Sequence, residues 1–160
     1  REMFLDCRER ISVTGFTDIQ RAAMFYVLVK TGFGASLRTF GCNKKRLNTD
    51  NFADIEARLD GVVIENKDFE DLIKVYDREK ALFYCDPPYH KTERHYTVKF
   101  TEDDHERLCR VLHQIKGRFV LSYNDDKYVR DLYKDYNIQA VTRNNSLSSG
   151  DFKEVIITNF

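Results

Sequence analysis

Ala81-Leu82-Phe83-Tyr84-Cys85-Asp86-Pro87-Pro88-Tyr89 is the stretch on which the reading of this chain turns. Its first five residues form an apolar run that reads as a buried strand, and two prolines end it, since proline cannot donate to a strand ladder. Asp86 is thereby left at the carboxyl end of the strand, the edge of an open α/β sheet where ligands gather. Each proline fixes its own φ and biases the residue before it toward extended geometry, so the corner is stiff. Within four residues it offers the Asp86 carboxylate, the Pro87 carbonyl and the Tyr89 ring. Those groups suit a flat heterocycle carrying an exocyclic amine. Asp86 and the Pro87 carbonyl each accept one amine N–H, and Tyr89 stacks on the ring, a contact worth roughly 1–3 kcal/mol per base in nucleic-acid binders. The plainer alternative is a rigid turn whose tyrosine plugs the core.

Around this stretch, helical and strand patterns alternate. Thr17-Asp18-Ile19-Gln20 is a capping-box signal for a helix that runs toward Lys30 and stops near Gly32. Its apolar residues Ala22, Ala23, Phe25, Tyr26, Leu28 and Val29 predict a well-buried helix. A second helix is expected near Asn51 to Leu59, ended by Gly61, then a strand from Val62 to Glu65 and a short helix from Phe69 to Tyr76. Thr101-Glu102-Asp103-Asp104 places acids at the positive end of another helix, which continues to Lys116 and closes at Gly117. Arg118 to Ser122 reads as a strand, Lys127 to Tyr133 as a helix, and Ile138 to Thr142 and Val155 to Asn159 as the last two strands. Strands separated by helices argue for a mainly parallel sheet with helices on both faces. The final two strands have no helix between them, so they pair antiparallel.

Composition fits a soluble folded domain: 160 residues, with 26 basic and 26 acidic side chains in exact balance. A dedicated nucleic-acid module is usually more basic, so any DNA contact must come from local patches. The sequence holds neither a membrane-length apolar run nor a signal peptide. Four cysteines (Cys7, Cys42, Cys85, Cys109) lack metal-type spacing, and free buried thiols imply a reducing, cytoplasmic setting. The histidines His90, His95, His105 and His113 are scattered over a loop and a helix, so no metal is expected.

Asp86-Pro87-Pro88-Tyr89 after an apolar strand resembles the catalytic motif of the amino-methyltransferases, and in particular of the Dam-like DNA adenine N6-methyltransferases. Other segments match that group in order: Thr17 to Phe33, Val62 to Phe69, Leu121-Ser122-Tyr123-Asn124-Asp125, and Glu154 to Phe160. The resemblance implies a partial class I, Rossmann-like fold with an antiparallel last strand, a helical target-recognition part over residues 1–60, and a catalytic core over 61–160. It implies Asp86, Pro87, Pro88 and Tyr89 as catalytic residues, S-adenosyl-L-methionine as methyl donor held by Asp68, Phe69 and Asp86, and double-stranded DNA as partner. By itself, Asp68-Phe69 reads slightly better as a helix start, with Asp68 as N-cap and Phe69 packing inward. The family's early Phe-x-Gly-x-Gly loop does not occur in this sequence, and Gly32-Phe33-Gly34 follows a helical pattern rather than a strand. The chain thus reads as the C-terminal part of a methyltransferase.

Two polar segments are candidates for DNA contact. The loop from Arg38 to Arg46 contains Asn43, Lys44 and Lys45, and Thr142 to Gly150 contains Arg143 and Asn144; both supply groups that neutralise phosphates or read base edges. Tyr96, in the basic and aromatic loop from His90 to Phe100, suits a flap over a flipped nucleotide. All three segments read equally as solvated surface. The same motif corner would serve methylation of a cytosine, RNA or protein-glutamine amine, although Asp rather than Ser or Asn at position 86 favours adenine. An inactive DNA-binding remnant or a structural domain remain as non-enzymatic readings.

Overall fold

The computed structural model describes the chain apart from residues 36, 42–46, 48–50, 93–98 and 145–150, and apart from the side chains of Ala35, Arg143, Asn144, Asp151 and Phe152. The chain divides into two compact units, Arg1–Val63 and Ile64–Phe160.

Ile64–Phe160 is an α/β unit built on a mixed four-stranded sheet. Its strands are β1 (Leu82–Cys85), β2 (Arg118–Asn124), β3 (Asn137–Asn144) and β4 (Asp151–Thr158), in the spatial order β1-β2-β4-β3. β1 and β2 are parallel, with Phe83 beside Phe119 and Cys85 beside Leu121. β4 runs antiparallel to both of its neighbours. Three strands therefore share one direction and the last opposes them, as the missing helix between β3 and β4 requires.

Register assigns the two faces, because side-by-side residues point the same way. Phe83, Phe119, Leu121, Tyr123, Val155 and Ile157 share one face and are its core. Three helices supply the other half of that core: Ile73 from α4 (Phe69–Tyr76), Leu108, Val111 and Leu112 from α5 (Glu102–Gln114), and Val129 from α6 (Lys127–Leu132). Helices were expected on both faces; among the described residues of this unit, α4, α5 and α6 all contribute to the core on this one face. On the opposite face Leu82 and Tyr84 are exposed while Ser122 and Glu154 are buried.

Helix ends follow their caps. Thr101 closes a reciprocal capping box with Asp104 at the start of α5. That helix stops at Gln114, short of the expected Lys116, because the Asp77 carboxylate accepts the Lys116 and Gly117 amides and pulls them out of helical geometry. Gly117 has a second constraint: a Cβ there would lie 2.8 Å from the carbonyl oxygens of both Arg78 and Ala81. The strand expected over Val62 to Glu65 does not form. Val63 and Ile64 are 73% and 81% exposed, and β-branched residues make a strand only where a neighbour supplies the ladder. The hairpin is longer than expected: β3 continues to Asn144, so Arg143 and Asn144 lie on a strand rather than in a loop, and β4 already begins at Asp151.

Arg1–Val63 is helical. α1 (Glu2–Arg10), which sequence periodicity did not reveal, packs Phe4 and Cys7 against Met24 and Leu28 of α2 (Asp18–Thr31). The Thr17–Gln20 capping box starts α2 as expected. Its burial was overestimated: Phe25 is 51% exposed and only Met24 and Leu28 are buried, since α2 packs one face on α1. α3 (Phe52–Leu59) ends before Gly61, whose φ of 75° is the left-handed conformation glycine adopts freely. No described helix is long and apolar enough to cross a membrane.

Candidate active site

The proline corner lies where the sequence put it, directly after β1 at the carboxyl edge of the sheet. Asp86 is exposed, and its Oδ1 accepts a 2.8 Å hydrogen bond from the Ser122 hydroxyl. Ser122 is only 5% exposed and sits on β2, so a buried donor fixes one oxygen of the motif carboxylate. Among the described residues Oδ2 takes no hydrogen bond, which leaves it for an incoming N–H.

Tyr89 is half-buried. Its hydroxyl donates to Glu154 Oε1 at 3.1 Å, and its ring lies 6.0 Å from that of Tyr123 at a 40° tilt. Burial pushes its phenol up to about 12, and the nearby Glu154 carboxylate adds to the rise while Ser122 opposes it. Glu154, 8% exposed, comes from β4. The motif corner is thus held at both ends, Asp86 by β2 and Tyr89 by β4.

The turn beyond the motif is also secured. Lys91 has a φ of 64°, unusual for a residue with a side chain. Thr92 returns both its amide and its hydroxyl to the Tyr89 carbonyl, and the Asn124 side chain donates to the His90 carbonyl. His90 is buried, bonds Asp126 through Nδ1 at 3.1 Å and stacks on Tyr128. His105, on α5, is buried against Tyr123 and Phe100. Both histidines are thereby engaged in packing, and no cluster of described His, Cys, Asp or Glu could hold a metal ion.

Beside the corner opens a cleft of about 370 Å³, lined by Phe69, Phe83, Cys85, Asp86, Pro87 and Phe100 among others. Its walls are mostly apolar and aromatic, which suits a planar ring. Burial raises the Cys85 thiol to about 11, so it stays a protonated wall group. Asp68 is the N-cap of α4, taking the Glu70 amide on Oδ1 and the Arg107 guanidinium on Oδ2 at 2.9 Å. Burial alone would raise its pKa, but the Glu70 amide and Arg107 hold the carboxyl below the usual range. The N-cap reading of Asp68 is therefore correct, and Phe69 both packs on the core and lines the cleft.

The chain matches one family model across its β1 motif, its core helices and its N-terminal unit. It belongs to the D12 class N6 adenine-specific DNA methyltransferases, which it matches over residues 1–147. The match includes α1 and the proline corner, and the family makes the chain a methyltransferase acting on adenine in DNA. No curated protein matches the chain.

In this D12 class chain, the two residues that bond the proline corner, Ser122 and Glu154, were not among the sequence candidates. A signal for them existed: each is a polar residue inside an otherwise apolar strand pattern, a placement that requires a partner. Of the DNA-contact candidates, Arg38 is exposed and its carbonyl accepts from Arg8. Asn43, Lys44, Lys45 and Tyr96 lie outside the described residues, as do the side chains of Arg143 and Asn144.

Proposed function

We propose that the chain supplies the catalytic corner of a site-specific DNA adenine methyltransferase of class I architecture, using S-adenosyl-L-methionine on an adenine flipped from the duplex. The observation that carries this reading is the Asp86 carboxylate, exposed beside the cleft with one oxygen fixed by a buried serine. The strand order β1-β2-β4-β3 with an antiparallel last strand supports the architecture.

Asp86 Oδ2 accepts one N–H of the adenine amine and the Pro87 carbonyl accepts the other. Both bonds draw the nitrogen lone pair out of conjugation with the ring and aim it. Tyr89, pinned through its hydroxyl, gives the base a platform that offsets the few kcal/mol of unstacking. The cleft fits the adenosine end of the donor, with Phe69 as a flat wall, Asp86 on its lining and Asp68 as the residue next to Phe69; the sequence offers no Phe-x-Gly-x-Gly loop for the methionine end. When bound, that donor supplies a methyl group on a cationic sulfur. The residues contribute positioning, which accounts for much of the acceleration in such transfers, and no covalent enzyme intermediate is required. Arg38 of the helical unit, the segments holding Asn43, Lys44, Lys45 and Tyr96, and Arg143 and Asn144 at the end of β3 contact the DNA.

Transfer of tritiated methyl groups to unmethylated DNA tests this. Label should appear in N6-methyladenine and vanish in Asp86→Ala, whose circular dichroism should match the wild type because Asp86 is exposed. Label in cytosine, or undiminished transfer by Asp86→Ala, would overturn the assignment.

A further inference from the structure

We propose that Arg107 is a positioning residue for the cleft, setting the Phe69 wall and the Asp68 carboxylate before a ligand arrives. The proposal rests on the reading that the cleft takes the adenosine end of the methyl donor.

Arg107 projects from α5 toward the start of α4, where its guanidinium carbon lies 4.3 Å from the centroid of the Phe69 ring. Nη2 donates to Asp68 Oδ2 at 2.9 Å and to Asp104 Oδ1 at 3.0 Å, and Nη1 lies 3.8 Å from Glu70. Asp104 is itself locked by the amide and hydroxyl of Thr101. The guanidinium is thus anchored to the rigid first turn of its own helix. From that anchor it reaches both cofactor candidates, Asp68 by its edge and Phe69 by its face.

An ordinary helix-to-helix ion pair would need less. Lysine would serve the carboxylates as a point charge, but it has no plane to lie on a ring while donating sideways. The arrangement also has a cost, since the Arg107 Nε is buried without a hydrogen-bond partner among the described residues. A group retained only to tie α4 to α5 gains nothing from that burial, whereas a plane pressed on Phe69 requires it. Phe69 also meets Phe100 at 5.9 Å, so its ring is held from two sides while it lines the cleft. A ring fixed in this way loses less freedom when a purine stacks on it, and pre-organisation of this kind appears as affinity.

The test is calorimetric titration of the full chain with S-adenosylhomocysteine, alongside thermal melting, for wild type, Arg107→Lys and Arg107→Ala. The wild type should bind, and both variants should bind about 3- to 30-fold more weakly, the range a partly desolvated cation–ring contact supports. Arg107→Lys should melt close to the wild type because it keeps the charge near Asp68, Glu70 and Asp104. It is therefore the decisive variant even if Arg107→Ala folds poorly. Wild-type affinity in Arg107→Lys overturns the positioning role and leaves the cleft assignment standing. Absence of binding by the wild type overturns both.

Discussion

Replacing Tyr89 with phenylalanine removes one hydroxyl and leaves the ring, which separates what pins the tyrosine from what it stacks on. The hydroxyl donates to Glu154, a residue only 8% exposed, at 3.1 Å. A hydrogen bond to a charged group contributes about 1.5–3 kcal/mol. This one is longer than the 2.5–2.7 Å of the strongest O–H···O⁻ bonds, so Tyr89→Phe should cost about 1.5–2 kcal/mol. Glu154→Leu should also be destabilising, because it removes the carboxylate that accepts the phenol's proton. The double variant replaces both partners with apolar groups, and such pairs approach neutrality, so a double-mutant cycle should return a coupling of about 1–2 kcal/mol. Urea unfolding followed by circular dichroism measures it. A coupling below about 0.5 kcal/mol would show that β4 does not pin the ring, and the platform assigned to Tyr89 would lose its support. In methylation, Tyr89→Phe should keep most of its kcat/KM. Tyr89→Ala should lose about 5- to 150-fold, the equivalent of roughly 1–3 kcal/mol of stacking.

The same hydroxyl gives a pH signature. Burial holds the folded phenol at about 12 against 10 for an ordinary tyrosine, so the folded chain keeps a proton that the unfolded chain releases. The advantage of the wild type over Tyr89→Phe should be complete below pH 10 and should shrink as pH rises from 10 toward 12; parallel stability curves over that window would contradict it. Ser122→Ala should lower kcat/KM about tenfold, the low end of a charged hydrogen bond because Asp86 is exposed and can recruit water; an unchanged value would remove Ser122 from the site. Gly117→Ala should destabilise by about 1–3 kcal/mol through overpacking against two carbonyls, and a melting temperature equal to the wild type would show that the turn can shift.

What could be read from the sequence was mostly local. Thr17 and Thr101 announced helix starts because a capping box is completed within four residues, and the proline corner announced a strand end because the prolines act on their own neighbours. The antiparallel hairpin followed from the short β3–β4 connection. Errors arose where an element's state depends on something distant. Val62 to Glu65 has strand residues but pairs with no strand among the described residues, and α2 has enough apolar residues for full burial but buries only Met24 and Leu28, against α1. α1 escaped notice because charges surround the two side chains it buries, Phe4 and Cys7. Arg143 and Asn144 looked like loop residues by composition, yet pairing with β4 carries the strand through them.

The site divides along the same line. Asp86 and Tyr89 are neighbours in sequence and were found together. The residues that hold them, Ser122 and Glu154, are 36 and 65 positions away from their partners. Strand order accounts for this geometry. β2 lies between β1 and β4, and the register pairs Ser122 with Ile156 and Asn124 with Glu154, so a serine and a glutamate face the same side of the sheet two residues apart. Across that span the proline corner is gripped at its acid and at its phenol. A corner stiffened only by its prolines would leave both side chains to choose among rotamers. Two buried strand residues remove that choice, and they do so from strands that the apolar core fixes on its other face. Precision at the proline corner is therefore a property of the sheet register, and a one-residue slip of β4 would turn Glu154 to the opposite face and release the tyrosine while leaving the motif sequence intact.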